Sequence, residues 1–399
     1  MDLSYGDEHE RFRAEVRAFL KANWPERQDK PTEAEIKALR DKAIEAGYLY
    51  RGIPRAYGGS EQSPDVLKGQ IVREEFARAK APGEISSVSI SMVVPTLLDK
   101  GTPEQKARFI LPTMAGAMLW AQGYSEPGSG SDLASLRTRA ELVDGANGKE
   151  WVINGQKTWS TLAHKATHMF VLARTEPDAP KHKGISYLLI DIKQPGITIR
   201  PMKQINGDAE FCEVFFDNAR TPADWLVGER GEGWQVSKTT LSHERAGFMG
   251  NAEASVQMFE KLVDLARRSN FQGQPAIGHP LIRERLAVLQ GMVMAARYSG
   301  YRQLSMMSHG EDPGIAPMVN KIGASNMYAE IAAIARDLMG DDLMLAPDYK
   351  AGKVGNERWT GQFFGSLGMA IAGGTSNIQR NLIAERGLGL PRDKAGASE

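Results

Sequence analysis

A single cysteine, Cys212, occurs in 399 residues. No internal disulfide can form, which fits a reducing, cytoplasmic setting. A surplus of either charge is also missing, since Lys+Arg and Asp+Glu both number 49. A chain built to coat nucleic acid or an anionic membrane surface carries a basic excess, so neither partner is expected. No apolar run is long enough to span a bilayer. The acidic start MDLSYGDEHERF has no basic segment leading into an apolar one, so no signal peptide is expected. No H-x-x-x-H falls on an expected helix, and Cys212 has no Cys or His at ligand spacing, so no metal site is expected. Neither a G-x-S-x-G elbow nor a P-loop is present. What remains is an ordinary core-forming composition, 42% hydrophobic and 25% charged, long enough for two or three domains.

The patterning divides the chain into three parts: 1–120, 121–234 and 235–399. The first reads as helical. DEHERFRAEVRAFLKANWP places Phe12, Val16, Phe19 and Leu20 on one face. PTEAEIKALRDKAIEAG opens with Thr32 and Glu35 at capping-box spacing and closes at Gly47. Further helical patterns run over 63–79 and 103–118. The middle part turns strand-like: EWVINGQKTWST, HMFVLART, GISYLLIDI, GITIRPMK and FCEVFFDNARTP are short β-branched or aromatic runs. No long helices alternate with them, so the expectation is a compact antiparallel β domain and not a doubly wound nucleotide fold. The last part is helical again, with candidate helices at about 235–268, 279–309, 313–340 and 375–386. The fold class is therefore α+β, in the order helical, β, helical bundle.

Five stretches invite a functional reading beside a structural one. GYSEPGSGSD, Gly123 to Asp132, is either a solvent loop at a domain junction or a run of exposed amides and hydroxyls suited to a pyrophosphate. NGQKTWSTLAH predicts a hairpin turn at Asn154-Gly155. Trp159 and Thr161 then share a strand face, either as core or as a surface for a flat ring system. In TTLSHERAGFMGNAEASVQMF, Glu244 falls on an apolar stripe of Leu241, Phe248, Ala252, Val256 and Phe259. It is either an ion-paired carboxylate or a general base tuned by burial. Arg267, Arg268 and Phe271 close a helix, where basic side chains have a dipole explanation. Finally, AGGTSNIQRN breaks an apolar run at Gly373-Gly374 and reopens a helix at Thr375, either as punctuation or as a nest of amides facing an anion.

Taken together and in this order, these pieces resemble the acyl-CoA dehydrogenase family over nearly the whole chain. QGYSEPGSGSDLASLRTRA is similar to the family's first flavin motif, NGQKTWST to its second, and GGTSNIQRNLIAERGLG to its C-terminal motif. The resemblance implies bound FAD between the β domain and the bundle, a CoA thioester substrate, and electrons passed to an electron-transferring flavoprotein. It also implies at least a dimer, with a homotetramer (a dimer of dimers) or a hetero-oligomer with a related chain as the forms to expect. Carried over by position, Gln122, Tyr124 and Ser125 meet the flavin ring, and Gly130 and Ser131 meet phosphate. Trp159 covers one flavin face with Thr161 near its N5 edge. Arg268 and Phe271 reach the FAD of a neighbouring subunit, and Thr375 and Asn377 line the cofactor. Ser131 and Arg245 fall to the substrate.

Two departures stand out. Many members keep the catalytic base as the Glu of a Glu-Gly-Thr, and here that position is Gly373. The base then falls to Glu244 on the long helix, directly before Arg245, as in members resembling isovaleryl-CoA dehydrogenase. The backbone N–H of Gly373 keeps a role as donor to the thioester carbonyl. The vacated volume suits branched or bulky acyl groups, as in bacterial members acting on steroid side chains. The alternative is a silent FAD- or CoA-binding subunit, or one running other flavin chemistry. The second departure is DLMGDD, where Asp337 and Asp341 replace the Gln and second Gly of the family's Gln-x-x-Gly-Gly. Two acids there are expected to repel a pyrophosphate.

Overall fold

The computed structural model describes residues 6–26, 29–85, 87–146, 148–248, 252–344 and 357–391, with the side chains of 244–248, 252–253, 344 and 357–358 outside that set. The chain divides into two compact units, residues 2–246 and 247–399. Among the described residues no helix is long and apolar enough to cross a membrane.

The first unit begins with helices α1 (Gly6–Asn23), α2 (Glu33–Glu45), α3 (Val66–Arg78), α4 (Val94–Lys100) and α5 (Pro103–Met114). Their local determinants are those the sequence announces. Thr32 and Glu35 form a reciprocal capping box on α2, and Thr102 and Gln105 form another on α5. Val16 and Leu20 of α1 bury against Leu39, Val72 and Phe76, with Phe12 and Phe19 packed around them. Under this cluster sits a buried carboxylate, Glu75, which accepts from Arg13 (2.9 Å) and from Arg17 (2.9 and 3.0 Å) and pairs with Arg78. Burial pushes its pKa up, but the hydrogen bonds from Arg17, Arg13 and Arg78 outweigh that and hold it below the ordinary 4.5.

Eight strands follow: β1 (Trp120–Gly123), β2 (Arg139–Gly145), β3 (Gly148–Thr161), β4 (His168–Arg174), β5 (Ile185–Asp191), β6 (Ile197–Pro201), β7 (Phe211–Pro222) and β8 (Leu226–Val227). They make one sheet in the order β6-β7-β3-β2-β4-β5-β8, with β1 paired to β4. The sheet is mixed: β1 runs parallel to β4, beside mostly antiparallel neighbours. Both faces of its centre are covered. Phe170 and Leu172 of β4 join a core with Phe109, Trp120 and Tyr187, while Met169, Val171 and Ala173 join a second with Trp151, Ile153 and Val214. Double burial is why HMFVLAR reads as an unbroken apolar run and not an alternating one. Each such side chain contributes about 1.5–3 kcal/mol. Helix α6 (Gly233–Phe248) closes the unit. Val236 is buried in the first of these cores, and Thr240 Oγ1 meets Thr96 Oγ1 of α4 at 2.9 Å.

The second unit is a helical bundle of α7 (Ala252–Arg268), α8 (Pro280–Ser308), α9 (Ala316–Met339), α10 (Glu357–Met369) and α11 (Ser376–Leu382). A two-residue ribbon, β9 (Asn270–Phe271) with β10 (Gln274–Pro275), joins α7 to α8. Leu262, Ile282, Leu289, Ile331 and Ile334 form its core, with Val256 and Phe259 packed against them. The expected continuous helix over 235–268 is described as α6 and α7, and residues 249–251 lie outside the described set. Helix α10 is unannounced in sequence, because Gly361, Gly365 and Gly368 dilute its apolar spacing.

The expected hairpin at Asn154-Gly155 is not formed. The two residues lie inside β3, whose antiparallel pairing with β2 runs instead to Gly145↔Gly148. Asn154-Gly155 faces an irregularity in β7, where the register passes from Ile153↔Ala219 to Gly155↔Phe216. The extra residue is on β7, at Asp217-Asn218, with Asn218 at φ +52°. Asn154 Oδ1 accepts the Asn218 N–H at 2.9 Å, which pins that bulge. Gly155 adopts φ +147°, and a Cβ there would come 2.7 Å from Thr138 Cα. Asn-Gly thus serves close strand approach and not chain reversal.

Candidate functional site

The two flavin-like motifs of the first unit are stitched together by polar contacts. β1 leads into the loop at 124–132, and the C-terminal half of β3 runs alongside it. The Thr158 N–H donates to Ser125 O at 2.9 Å. Lys157, wholly buried, donates to Glu126 Oε1 at 2.8 Å and to Tyr124 O at 3.1 Å. Glu126 also accepts the N–H groups of Arg137 (2.6 Å) and Thr138 (2.9 Å). Burial presses the Lys157 pKa down to about 8 against the charge of Glu126. Burial raises Glu126, but the charge and hydrogen bond of Lys157 win, and its pKa sits below the ordinary range. At neutral pH the pair is ionic.

This pair escaped the motif reading, yet one signal was available. β3 alternates inward at Trp151, Ile153 and Lys157, so a lysine falls on a buried face and demands an anionic partner. Glu126 supplies it, and the glycine-rich loop is therefore anchored and not merely solvent-borne. Glu126 N–H and O close a tight turn with Ser129, whose Oγ donates to Asp132 O and Leu133 O. Gly128 within that turn and Gly130 beyond it are exposed, as is Ser131, and a Cβ on either glycine would meet no atom within 4 Å among the described residues, apart from the flanking ones. The N–H groups of Gly128, Gly130 and Ser131 meet no acceptor among the described residues.

Beyond Lys157 the register slips again, from Lys157↔Val214 to Ser160↔Cys212, this time with the extra residue on β3. Trp159 takes a left-handed φ of +60° and is 61% exposed, edge-on to Phe211 at 5.7 Å between ring centroids. Ser160 behind it is buried, and Thr161 is half-buried on the outer side. A bulky residue held at positive φ is a local cost. The cost falls at a tryptophan turned outward.

In the second unit the turn between α10 and α11 is built by three fastenings. Thr375 Oγ1 accepts the Ile378 N–H and caps α11. Gln379 Nε2 donates to Gly373 O at 3.1 Å. Lys321 of α9 donates to Met369 O, the last carbonyl of α10, and Ser325 Oγ donates to the same oxygen at 3.1 Å. Gly373 and Gly374 take φ +64° and +91°. The N–H groups of Gly373, Gly374 and Thr375 meet no acceptor among the described residues. Asn377 holds Arg380 on the first turn of α11 at 3.2 Å. Consecutive amides left open in this way form an anion-binding concavity.

Arg268 ends α7 exposed, with its Nε donating to Asp264 O. Phe271 packs edge-on to His279. Glu244 and Arg245 lie on α6, and their side chains fall outside the described residues. Asp337 is one of the two acids expected to repel a pyrophosphate. Its carboxylate pairs with Arg285 (2.6 Å) and Arg336 (2.9 Å), so it presents no uncompensated charge. Burial raises its pKa, and the hydrogen bonds from those two guanidiniums bring it below the ordinary value. Asp341 is exposed on the following turn.

Comparison with known proteins decides the family. Residues 6–117 match the acyl-CoA dehydrogenase N-terminal domain, 121–219 the middle domain and 231–388 the C-terminal domain. The chain belongs to the acyl-CoA dehydrogenase family. It is 40% identical to acyl-CoA dehydrogenase IpdE1 of Mycobacterium tuberculosis, over 97% of this chain and 99% of that one. Among solved structures it is similar to the Tcur3481-Tcur3483 steroid ACAD, with a TM-score of 0.77, 27% identity, and 98% and 100% of the two chains covered. It is also similar to the ChsE4-ChsE5 complex from Mycobacterium tuberculosis, with a TM-score of 0.76, 28% identity, and 98% and 100% covered.

This acyl-CoA dehydrogenase is an oxidoreductase of a family whose members are FAD-binding flavoproteins. The residues present fit that cofactor. Unpaired amides and the Ser131 hydroxyl in the anchored loop suit a diphosphate, and the outward Trp159 offers a face to a flat ring.

Proposed function

We propose that the chain catalyses α,β-dehydrogenation of an acyl-CoA thioester to the 2-enoyl-CoA and delivers the electrons to an electron-transferring flavoprotein. The observation that carries this reading is Trp159, a large aromatic held outward at positive φ by a bulge, beside a loop fastened through a buried ion pair. Backbone strain of this kind clusters at active sites and ligand clamps. FAD, when bound, supplies the two-electron acceptor for the hydride leaving the acyl β-carbon.

The protein's own groups do the rest. Gln122, Tyr124 and Ser125 with Trp159 and Thr161 position the ring system, and Gly130 and Ser131 donate to phosphate. Thr375 and Asn377 are assigned to the cofactor as well, and Arg268 and Phe271 to that of a neighbouring subunit. Glu244, at the C-terminal end of α6, takes the α-proton, and Arg245 faces the substrate with Ser131. The Gly373 N–H donates to the thioester carbonyl as enolate character develops, a role that needs no side chain. The acyl group is of the bulky class, in line with the steroid ACAD named among the solved structures.

A second reading is favoured by Gly373, which carries no carboxylate, and by the similar Tcur3481-Tcur3483 and ChsE4-ChsE5 proteins, each named for two unlike chains. In it the chain is a silent partner of a related subunit. Anaerobic titration of the FAD-loaded protein with a panel of acyl-CoAs, followed by flavin absorbance, separates the two. Bleaching in wild type that vanishes in Glu244→Gln with FAD retained supports Glu244 as base. Bleaching that survives the substitution removes it from that role, and absence of bleaching across the panel supports the silent subunit.

A further inference from the structure

Lys321 stands on the second turn of α9, and its side chain runs to the end of α10. Its ammonium donates to Met369 O and to Ser325 Oγ at 2.9 Å. These are neutral acceptors. Among the described residues it forms no ion pair, and burial lowers its pKa with no carboxylate opposing the shift. A half-buried ammonium that lacks an anionic partner is a costly arrangement to keep for helix capping alone.

Its neighbour gives it meaning. Among the described residues, and apart from the two flanking residues, the one atom within 4 Å of a Cβ built on Gly373 is Lys321 Cε at 3.9 Å. A side chain at 373 would therefore start out alongside this lysine. Where a carboxylate stands at 373, a lysine here has its counter-charge. In this chain the acid is missing and the cation remains, beside a residue with no side chain whose N–H meets no acceptor among the described residues. Two of the three ammonium protons are engaged, which leaves one donor.

We propose that Lys321 is a specificity-determining residue that donates a charge-assisted hydrogen bond to an oxygen on the acyl group, a carboxylate or a ring carbonyl, seated in the volume left by Gly373. This rests on the reading that the Gly373 turn faces the thioester's acyl portion. A plain hydrocarbon in the same volume would cover the ammonium and leave its last proton without an acceptor. An oxygenated acyl group gains a bond that is stronger for the cation's charge. Discrimination by a hydrogen-bonding group of this kind reaches tenfold and beyond.

The test uses three matched CoA thioesters: cyclohexane-1-carbonyl-CoA, its 4-oxo analogue and its 4-carboxy analogue. Each is titrated into FAD-loaded wild type, Lys321→Gln and Lys321→Met. Dissociation constants come from the flavin spectral perturbation, and kcat/KM from an artificial electron acceptor. The glutamine amide can still donate to Met369 O, so it separates loss of the cation from loss of the α10 fastening. Wild type should favour one oxygenated thioester over the parent by about tenfold or more. Both variants should bring the ratio to within about twofold, by weakening the oxygenated ligand and sparing the parent. Which analogue is favoured tells carboxylate from carbonyl.

A ratio that is the same in wild type and variants overturns the proposal. So does a wild type without preference, an equal loss for all three ligands with FAD still bound, or failure of all three to bind. Differential binding without turnover leaves the role of Lys321 standing and removes the dehydrogenase reading. Turnover with an unchanged preference does the reverse.

Discussion

Replacing Lys157 by methionine tests whether the two flavin-like motifs are held by one buried ion pair. The ammonium is fully buried, 2.8 Å from Glu126 Oε1 and 3.1 Å from Tyr124 O. Removing it strands a carboxylate that is 9% exposed. Breaking a buried pair from one side costs about 3–5 kcal/mol. Two backbone donors, from Arg137 and Thr138, still hold Glu126, and methionine refills much of the stem's volume. The expected loss is therefore at the low end, about 3 kcal/mol. Denaturant titration of apo protein, read by tryptophan fluorescence, measures it. Lys157→Met combined with Glu126→Gln should lose less than the sum of the singles, with a coupling of about 1.5–3 kcal/mol. FAD retention should fall in both singles, because Tyr124, Glu126 and Thr158 would no longer share a fixed register. A loss below about 1 kcal/mol for Lys157→Met, or strict additivity in the cycle, refutes the reasoning.

Two further outcomes follow from the first unit. Glu75 has a folded pKa below its unfolded value of 4.5, so its stabilisation is fully present above that value and is lost as pH falls through the folded one. Glu75→Gln should lower stability at pH 7 and flatten the acid limb of a stability–pH curve, and an unchanged acid limb would show that the three arginines do not act through this carboxylate. Trp159→Gly should leave apo stability within about 0.5 kcal/mol or raise it slightly, since the side chain is exposed and glycine accepts φ +60°. The same variant should lose FAD on gel filtration, and full retention of flavin would remove Trp159 from the cofactor site.

Much of the molecule was written locally. The capping box at Thr32 and Glu35, the cap at Thr375, the apolar face of α1 and the helical–β–helical order depend on residues within a few positions of one another, and their spacing carries them. The three motifs identify the family for the same reason: each is a short contiguous string. Tertiary structure decided what those strings touch. Lys157 finds Glu126 across 31 residues, and Arg285 neutralises Asp337 across 52, pairings that no periodicity encodes. Asn154-Gly155 has the composition of a turn, yet a β7 bulge and the close approach of Thr138 keep it in a strand. Glycine at 373 was legible at once as a missing acid. That a lysine from another helix lies against the vacancy became visible only when α9 packed on α10, because charge compensation is set by distance in space and not along the chain.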